Sequence, residues 1–99
     1  MKYAVTWEAR PNLTEESAKR SLDVFGKWSP SHPEHFQAFL GRVDGNGGFA
    51  VVETDDATEV AKDTAPFNAW FEFHVYPCLD IAESTAINGE AIAFLDSVS

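Results

Sequence analysis

Glu72, His74 and Tyr76 occupy alternate positions of the segment FEFHVY, residues 71–76. On a strand, alternate residues share one face. A histidine titrates near neutrality, and a neighbouring carboxylate orients its ring and raises its pKa. A phenol can hydrogen-bond charge that develops on a substrate. The three form a candidate catalytic set: His74 exchanging a proton, Glu72 orienting it, Tyr76 holding negative charge. The same pattern also suits a hydrogen-bonded polar cluster within an interface, or a solvated face. Thr6 and Glu8 of an N-terminal strand would border it.

Arg42 stands in a strongly acidic chain. Its planar fork could hold a carboxylate or phosphate of a ligand. An ion pair with Glu53 across a hairpin is the competing expectation. His32-Pro33-Glu34-His35 places two histidines three apart beside a carboxylate, residue types that metal sites use. Pro33, however, breaks the helix that would put both on one face, and no second ligand pair has suitable spacing. The segment reads as an exposed loop, with no metal expected. Cys78, flanked by Pro77 and near Asp80, lacks the electropositive setting of a reactive thiol and reads as inert. The DGNGG run at 44–48 is followed by no Lys-Ser/Thr and no helix, so it is no phosphate loop. No motif calls for a cofactor.

These residues need elements to hold them. Residues 2–9 alternate Tyr3, Val5 and Trp7 against Ala4, Thr6 and Glu8, which predicts a strand. Asn12 with Glu15, or Thr14 alone, can cap a helix whose stripe is Ala18, Leu22 and Phe25, ending near Gly26. Residues 35–43 and 49–54 read as two strands joined by the DGNGG hairpin turn. Asp56 and Glu59 have capping-box spacing for a second helix, with Ala57, Val60, Ala61 and Thr64 inward. Phe71–Tyr76 is the fourth strand, resuming past Pro77 to about Ala82. A last helix is expected from about Asn88 to Val98, with Ala91, Phe94, Leu95 and Val98 on one side.

Length and charge bound the function. The chain has 99 residues, which fits one domain over 1–99. Sixteen acidic residues oppose seven basic ones, a net charge of -9. A nucleic-acid partner is excluded by the missing Lys/Arg surface, and an anionic membrane likewise. One cysteine permits no internal disulfide. With no leader pattern and no long apolar run, the chain reads as cytoplasmic. Eight Phe, three Trp and two Tyr are a generous aromatic supply for a second buried surface or a pocket.

The order βαββαβ plus a terminal helix predicts a ferredoxin-like α+β fold with a four-stranded antiparallel sheet. The crossover rule is taken to make the first and third strands parallel central neighbours. Helices would cover one face, leaving the other to pack against a second copy. A homodimer is therefore expected.

Four stretches resemble a bacterial domain-of-unknown-function family numbered 3303: VTW at 5–7, LGR at 40–42, GGFAVVETDD at 47–56 and FEFHVYPCLDI at 71–81. The loop SPSHPEH at 29–35, and His74 where a carboxylate is expected, depart from that family's pattern. The resemblance implies a relation to the dimeric α+β barrel proteins, with a cavity between sheet and helices or between two sheets. Within that frame the chain is expected to bind a small organic molecule in an aromatic-lined cavity. Thr6, Trp7, Arg42 and Trp70 are the candidate ligand contacts. A cofactor-independent monooxygenase or isomerase/cyclase, and a structural or partner-binding dimer, are the alternatives. Trp70 and His74 resemble only loosely the pair of haem-degrading barrels, which carry it on a helix, so no haem is expected.

Overall fold

The computed structural model describes residues 1–98; Ser99, the last residue of the expected domain, lies outside them. The elements run β1 (Lys2–Ala9), α1 (Glu15–Lys27), a 3₁₀ turn (Pro33–His35), β2 (Phe36–Gly41), β3 (Gly47–Glu53), α2 (Ala57–Thr64), a second 3₁₀ turn (Ala65–Phe67), β4 (Phe71–Cys78) and α3 (Ile81–Val98). The strands form one antiparallel sheet in the order β2-β3-β1-β4. This is the expected α+β arrangement, compatible with the ferredoxin-like fold.

One expectation about its topology is corrected. β1 and β3 are central neighbours, but they run antiparallel. The crossover through α1 makes β2, not β3, run the same way as β1. The hairpin then reverses the chain and inserts β3 between them. Its turn uses Gly45 at φ 75°, a left-handed conformation that glycine adopts without a Cβ clash.

Local chemistry sets the helix ends. Thr14 caps α1: its side chain accepts from the Ser17 N–H while Ser17 Oγ accepts from the Thr14 N–H. Glu15 and Glu16 in the first turn and Lys27 in the last complement the helix dipole. Asp56 caps α2 through Thr58, but Glu59 does not close the expected capping box; it turns inward instead. Pro77 sits inside β4, which is tolerated because β4 is an edge strand. α3 begins at Ile81, seven residues before the expected Asn88. The strand resumes past Pro77 only as far as Cys78. The Asp80 carbonyl accepts from the Ser84 N–H, so the residues from Ile81 are helix, not the strand expected to about Ala82.

The two sheet faces differ. Val5, Ala50 and Val52 pack with Val60 of α2, flanked by Tyr3, Trp7, Phe36 and Phe73. Thr6, Glu8, Phe49, Glu72, His74 and Tyr76 point the other way, onto a face that no helix covers. α3 likewise leaves the body of the fold. None of its described residues is buried, and Phe94 and Leu95 are each 66% exposed. The chain measures 60 × 29 × 22 Å with a radius of gyration of 17.7 Å. A compact chain of this length has about 13 Å; the projecting helix accounts for the excess.

Candidate functional site

The helix-facing side of the sheet bears an apolar cavity of about 150 Å³ that opens to solvent on one side. It lies beneath α1 and α2, and eight aromatic side chains line it. β1 supplies Trp7, β2 supplies Phe36 and Phe39, and β4 supplies Phe71 and Phe73; strand alternation aims them all at the same side. Phe25 and Trp28 descend from the end of α1, and Phe67 from the second 3₁₀ turn. The rings brace one another: Trp28 meets Phe67 edge-on at 5.3 Å, Trp7 meets Phe39 edge-on at 5.7 Å, and Phe25 stacks on Trp28 at 5.8 Å. Such geometries are favoured by the ring quadrupoles. Leu22 and Phe25, both exposed, stand at the mouth. Ser21, Asp63 and Thr64 are the polar exceptions in the lining. Ser21 donates to the Ala18 carbonyl, and Asp63 is held by Ser31, whose N–H and hydroxyl both reach Oδ1 at 2.9 and 2.8 Å.

The open sheet face carries the expected polar set. Glu72, His74 and Tyr76 stand in line along β4, with Thr6 directly opposite His74 and Glu8 opposite Glu72. His74 Nε2 lies 3.9 Å from Glu72 Oε1, beyond hydrogen-bonding distance, and the His74 and Tyr76 rings are stacked at 6.2 Å. All three residues are exposed. A shallow concavity beside them is lined by Thr6, Glu8, Arg42, Phe49 and His74. Arg42 does not pair with Glu53, as the hairpin suggested. It reaches Glu8 at 3.6 Å and the neighbouring Asp44. The register sets Arg42 against Gly47 at the hairpin end of β3, its N–H donating to the Gly47 carbonyl, while Glu53 lies at the far end of that strand. Glu53 accepts instead from Gln37. Asp44 is held below the ordinary carboxylate range by the Asn46 N–H and by Arg42.

The candidate ligand contacts are thus divided. Trp7 lines the apolar cavity, with an edge toward the concavity on the other face. Thr6 and Arg42 belong to the open face alone. Trp70 lines neither; its backbone carbonyl accepts from the Arg10 N–H where β4 begins beside the end of β1.

A second polar cluster lies at the 3₁₀ turn. His35 Nδ1 is 2.9 and 3.0 Å from the two carboxylate oxygens of Glu59, and that hydrogen bond raises the His35 pKa. Glu59 is 6% exposed. Nothing in the pattern of α2 announces this role, since Glu59 has the spacing of a capping partner for Asp56.

The model of a domain of unknown function, DUF3303, matches residues 1–92. The chain belongs to this family. The match takes in every residue that lines the cavity and the open face of this DUF3303 domain, and most of α3. No curated protein matches the chain at a significant level. Among the described residues, no helix is long and apolar enough to cross a membrane.

Proposed function

We propose that this DUF3303 domain is a homodimeric small-molecule binder that takes a compact aromatic or apolar molecule into the cavity beneath α1 and α2. The observation that carries the reading is the cavity itself: about 150 Å³ of space walled by eight aromatic side chains. Protein interiors normally close such voids, because wall atoms without neighbours lose their dispersion contacts. An apolar cavity of about this volume stays dry and accepts a ring the size of benzene. The Ser21 and Thr64 hydroxyls donate to the Ala18 and Ala61 carbonyls, and their oxygens can accept from one donor substituent.

The homodimer follows from what one copy leaves uncovered. α3 is 18 residues long, and an isolated helix of that length is marginal in water. Ile87, Phe94 and Val98 recur on one side of it with Ala91 between them, all exposed. Leu40, Phe49 and Tyr76 are also exposed on the open sheet face. A two-fold axis lets one copy cover both surfaces of the other in a single closed interface. The lone cysteine fits a reducing compartment, the cytoplasm.

Proton transfer by Glu72, His74 and Tyr76 is less well supported, because the 3.9 Å gap between His74 and Glu72 would have to close under the partner's sheet.

Native mass spectrometry of the freshly purified chain tests both parts. The expected spectrum is a dimer that carries, in part of the population, a small organic adduct. A bare monomer at micromolar concentration would remove the dimer. A dimer that gains no mass when saturated with one-ring compounds would remove the binder.

A further inference from the structure

The 3₁₀ turn Pro33–His35 carries a cluster that neither the cavity nor the open sheet face uses. Pro33 was expected to keep the two histidines apart. It instead occupies the start of the turn, where its missing N–H costs nothing and its fixed φ suits the helix. A 3₁₀ helix has three residues per turn, so side chains three apart eclipse. His32 and His35 therefore stack, ring centroids 4.7 Å apart and planes 22° apart. Glu34 lies between them, its Oε1 3.1 Å from His32 Nδ1 and 3.9 Å from His35 Nε2.

We propose that His32, Glu34 and His35 form a zinc site, with the buried Glu59 as the carboxylate that orients His35 from behind. One ligand atom from each of the three lies within 4.8 Å of the others. In a tetrahedral zinc site with bonds of about 2.0–2.1 Å, ligand atoms stand roughly 3.4 Å apart. The separations of 3.1 and 3.9 Å bracket that value, but the stacked rings aim their lone pairs side by side, so closing the site takes a rotation of the exposed His32 ring about its side-chain torsions.

The His35 nitrogen turned away from Glu34 supplies the second, independent support. Metal-bound histidines commonly donate their other N–H to a carboxylate, which fixes tautomer and ring orientation. Here Glu59 does so for His35, 2.9 Å from its Nδ1, while His32 Nε2 stands 3.8 Å away, beyond hydrogen-bonding distance. Glu59 also accepts from the Thr54 hydroxyl at 3.3 Å, which ties it to the end of β3. The loop is fastened to α2 a second time by Ser31 on Asp63. Two nitrogens and one oxygen suit zinc better than calcium or magnesium, which take oxygen ligands. His32 and Glu34 are exposed, so the fourth position opens to solvent.

The test is calorimetric titration of the untagged, chelator-treated chain with zinc chloride, together with the visible spectrum of cobalt(II) at the same site. One ion per chain and the absorption bands of tetrahedral cobalt are expected. The double substitution His32→Gln with His35→Gln should weaken zinc binding by at least about 100-fold. Glu59→Gln should weaken it by about 10- to 100-fold while the cobalt spectrum keeps its shape. Because Glu59 is buried, its variant is checked by circular dichroism. His32→Gln alone alters only an exposed ring, and should cost at least about 10-fold whether or not the Glu59 variant folds. No binding at millimolar zinc, or binding that survives the double substitution, would overturn the site and leave a hydrogen-bonded His–Glu cluster.

Discussion

The cavity can be tested by filling it from two sides, with a ligand and with a side chain. Six ring carbons moved from water into an apolar space gain somewhat under ~0.8 kcal/mol each, about 4 kcal/mol together. That corresponds to a Kd on the order of 1 mM. At about 10 mM benzene or phenol the linkage relation then gives roughly 1.4 kcal/mol of added stability. For a chain of this size each kcal/mol moves Tm by about 4–8 °C, so the expected rise is about 6–11 °C. Ala50 is 3% exposed, lies on the central strand β3 and faces the void. Ala50→Leu projects an isobutyl group into the same space without touching the open sheet face. It should leave the ligand-free Tm near that of wild type, because the new carbons occupy volume that is empty. The ligand-induced rise should fall below about 1 °C. Differential scanning fluorimetry with both proteins and both compounds is sufficient. An equal rise in wild type and variant would place binding elsewhere, and no rise in wild type with any one-ring compound would refute the reasoning.

Three further outcomes are expected. Deleting residues 81–98 removes a helix that buries none of its residues within its own copy, so the shortened chain should keep its sheet and sediment as a monomer; a surviving dimer would refute the role given to α3. Gly48→Ala places a Cβ 2.2 Å from the Leu40 carbonyl oxygen and 2.6 Å from Trp7 Cζ2, which should cost about 1–3 kcal/mol in urea denaturation, and an unchanged midpoint would contradict the close approach of the strands. The Thr58 hydroxyl and N–H hold the Asp56 carboxyl below its ordinary value of 3.8, so the cap is fully effective above that pH and is lost as the pH falls through the lowered value. Asp56→Asn caps without titrating, so wild type should lose stability relative to the variant between pH 7 and about pH 2.5, and a constant difference across that range would refute the assignment.

What the sequence made legible was periodicity. Strict alternation in β1 and β4 placed Glu72, His74 and Tyr76 on one face with Thr6 across from them, because the period of a strand is fixed by its backbone. The hairpin was readable from DGNGG for a similarly local reason. The cavity was foreshadowed only as an aromatic surplus. Its volume depends on how Phe25, Trp28 and Phe67 meet the sheet, which is a tertiary fact. Asp56-x-x-Glu59 carried two meanings, a capping box and an inward carboxylate, and the choice was made by His35, 24 residues away. Pro33 was read as a helix breaker, although at the first position of a 3₁₀ turn it is a helix starter. The early start of α3 was missed because a short apolar stretch after Pro77 suits strand and helix equally.

A net charge of -9 per copy would seem to oppose a homodimer, so the location of the charge decides the matter. On the open sheet face the carboxylates of Glu8, Glu53 and Glu72 are set against Lys2 and Arg42, and two of these five meet directly, Arg42 with Glu8 at 3.6 Å. Lys2 reaches Asp80 at 2.9 Å at the edge of the same face. With Asp80 and Asp44, which also pairs with Arg42, five carboxylates meet two cations there, so the surface stays acidic. Ile87, Ala91, Phe94 and Val98 form an apolar stripe of α3, but Glu83 and Glu90 stand one turn before Ile87 and Phe94 on the same side, so two carboxylates border it. α1 is balanced, Glu15, Glu16 and Asp23 against Lys19, Arg20 and Lys27, whereas α3 carries Glu83, Glu90 and Asp96 with no basic residue. Copies that meet through β1, β4 and α3 therefore repel one another at low salt. Because that repulsion is screened beyond about 8–10 Å at physiological salt, the dimer should tighten as salt is raised; a dissociation constant that does not fall with salt would refute this placement of the charge.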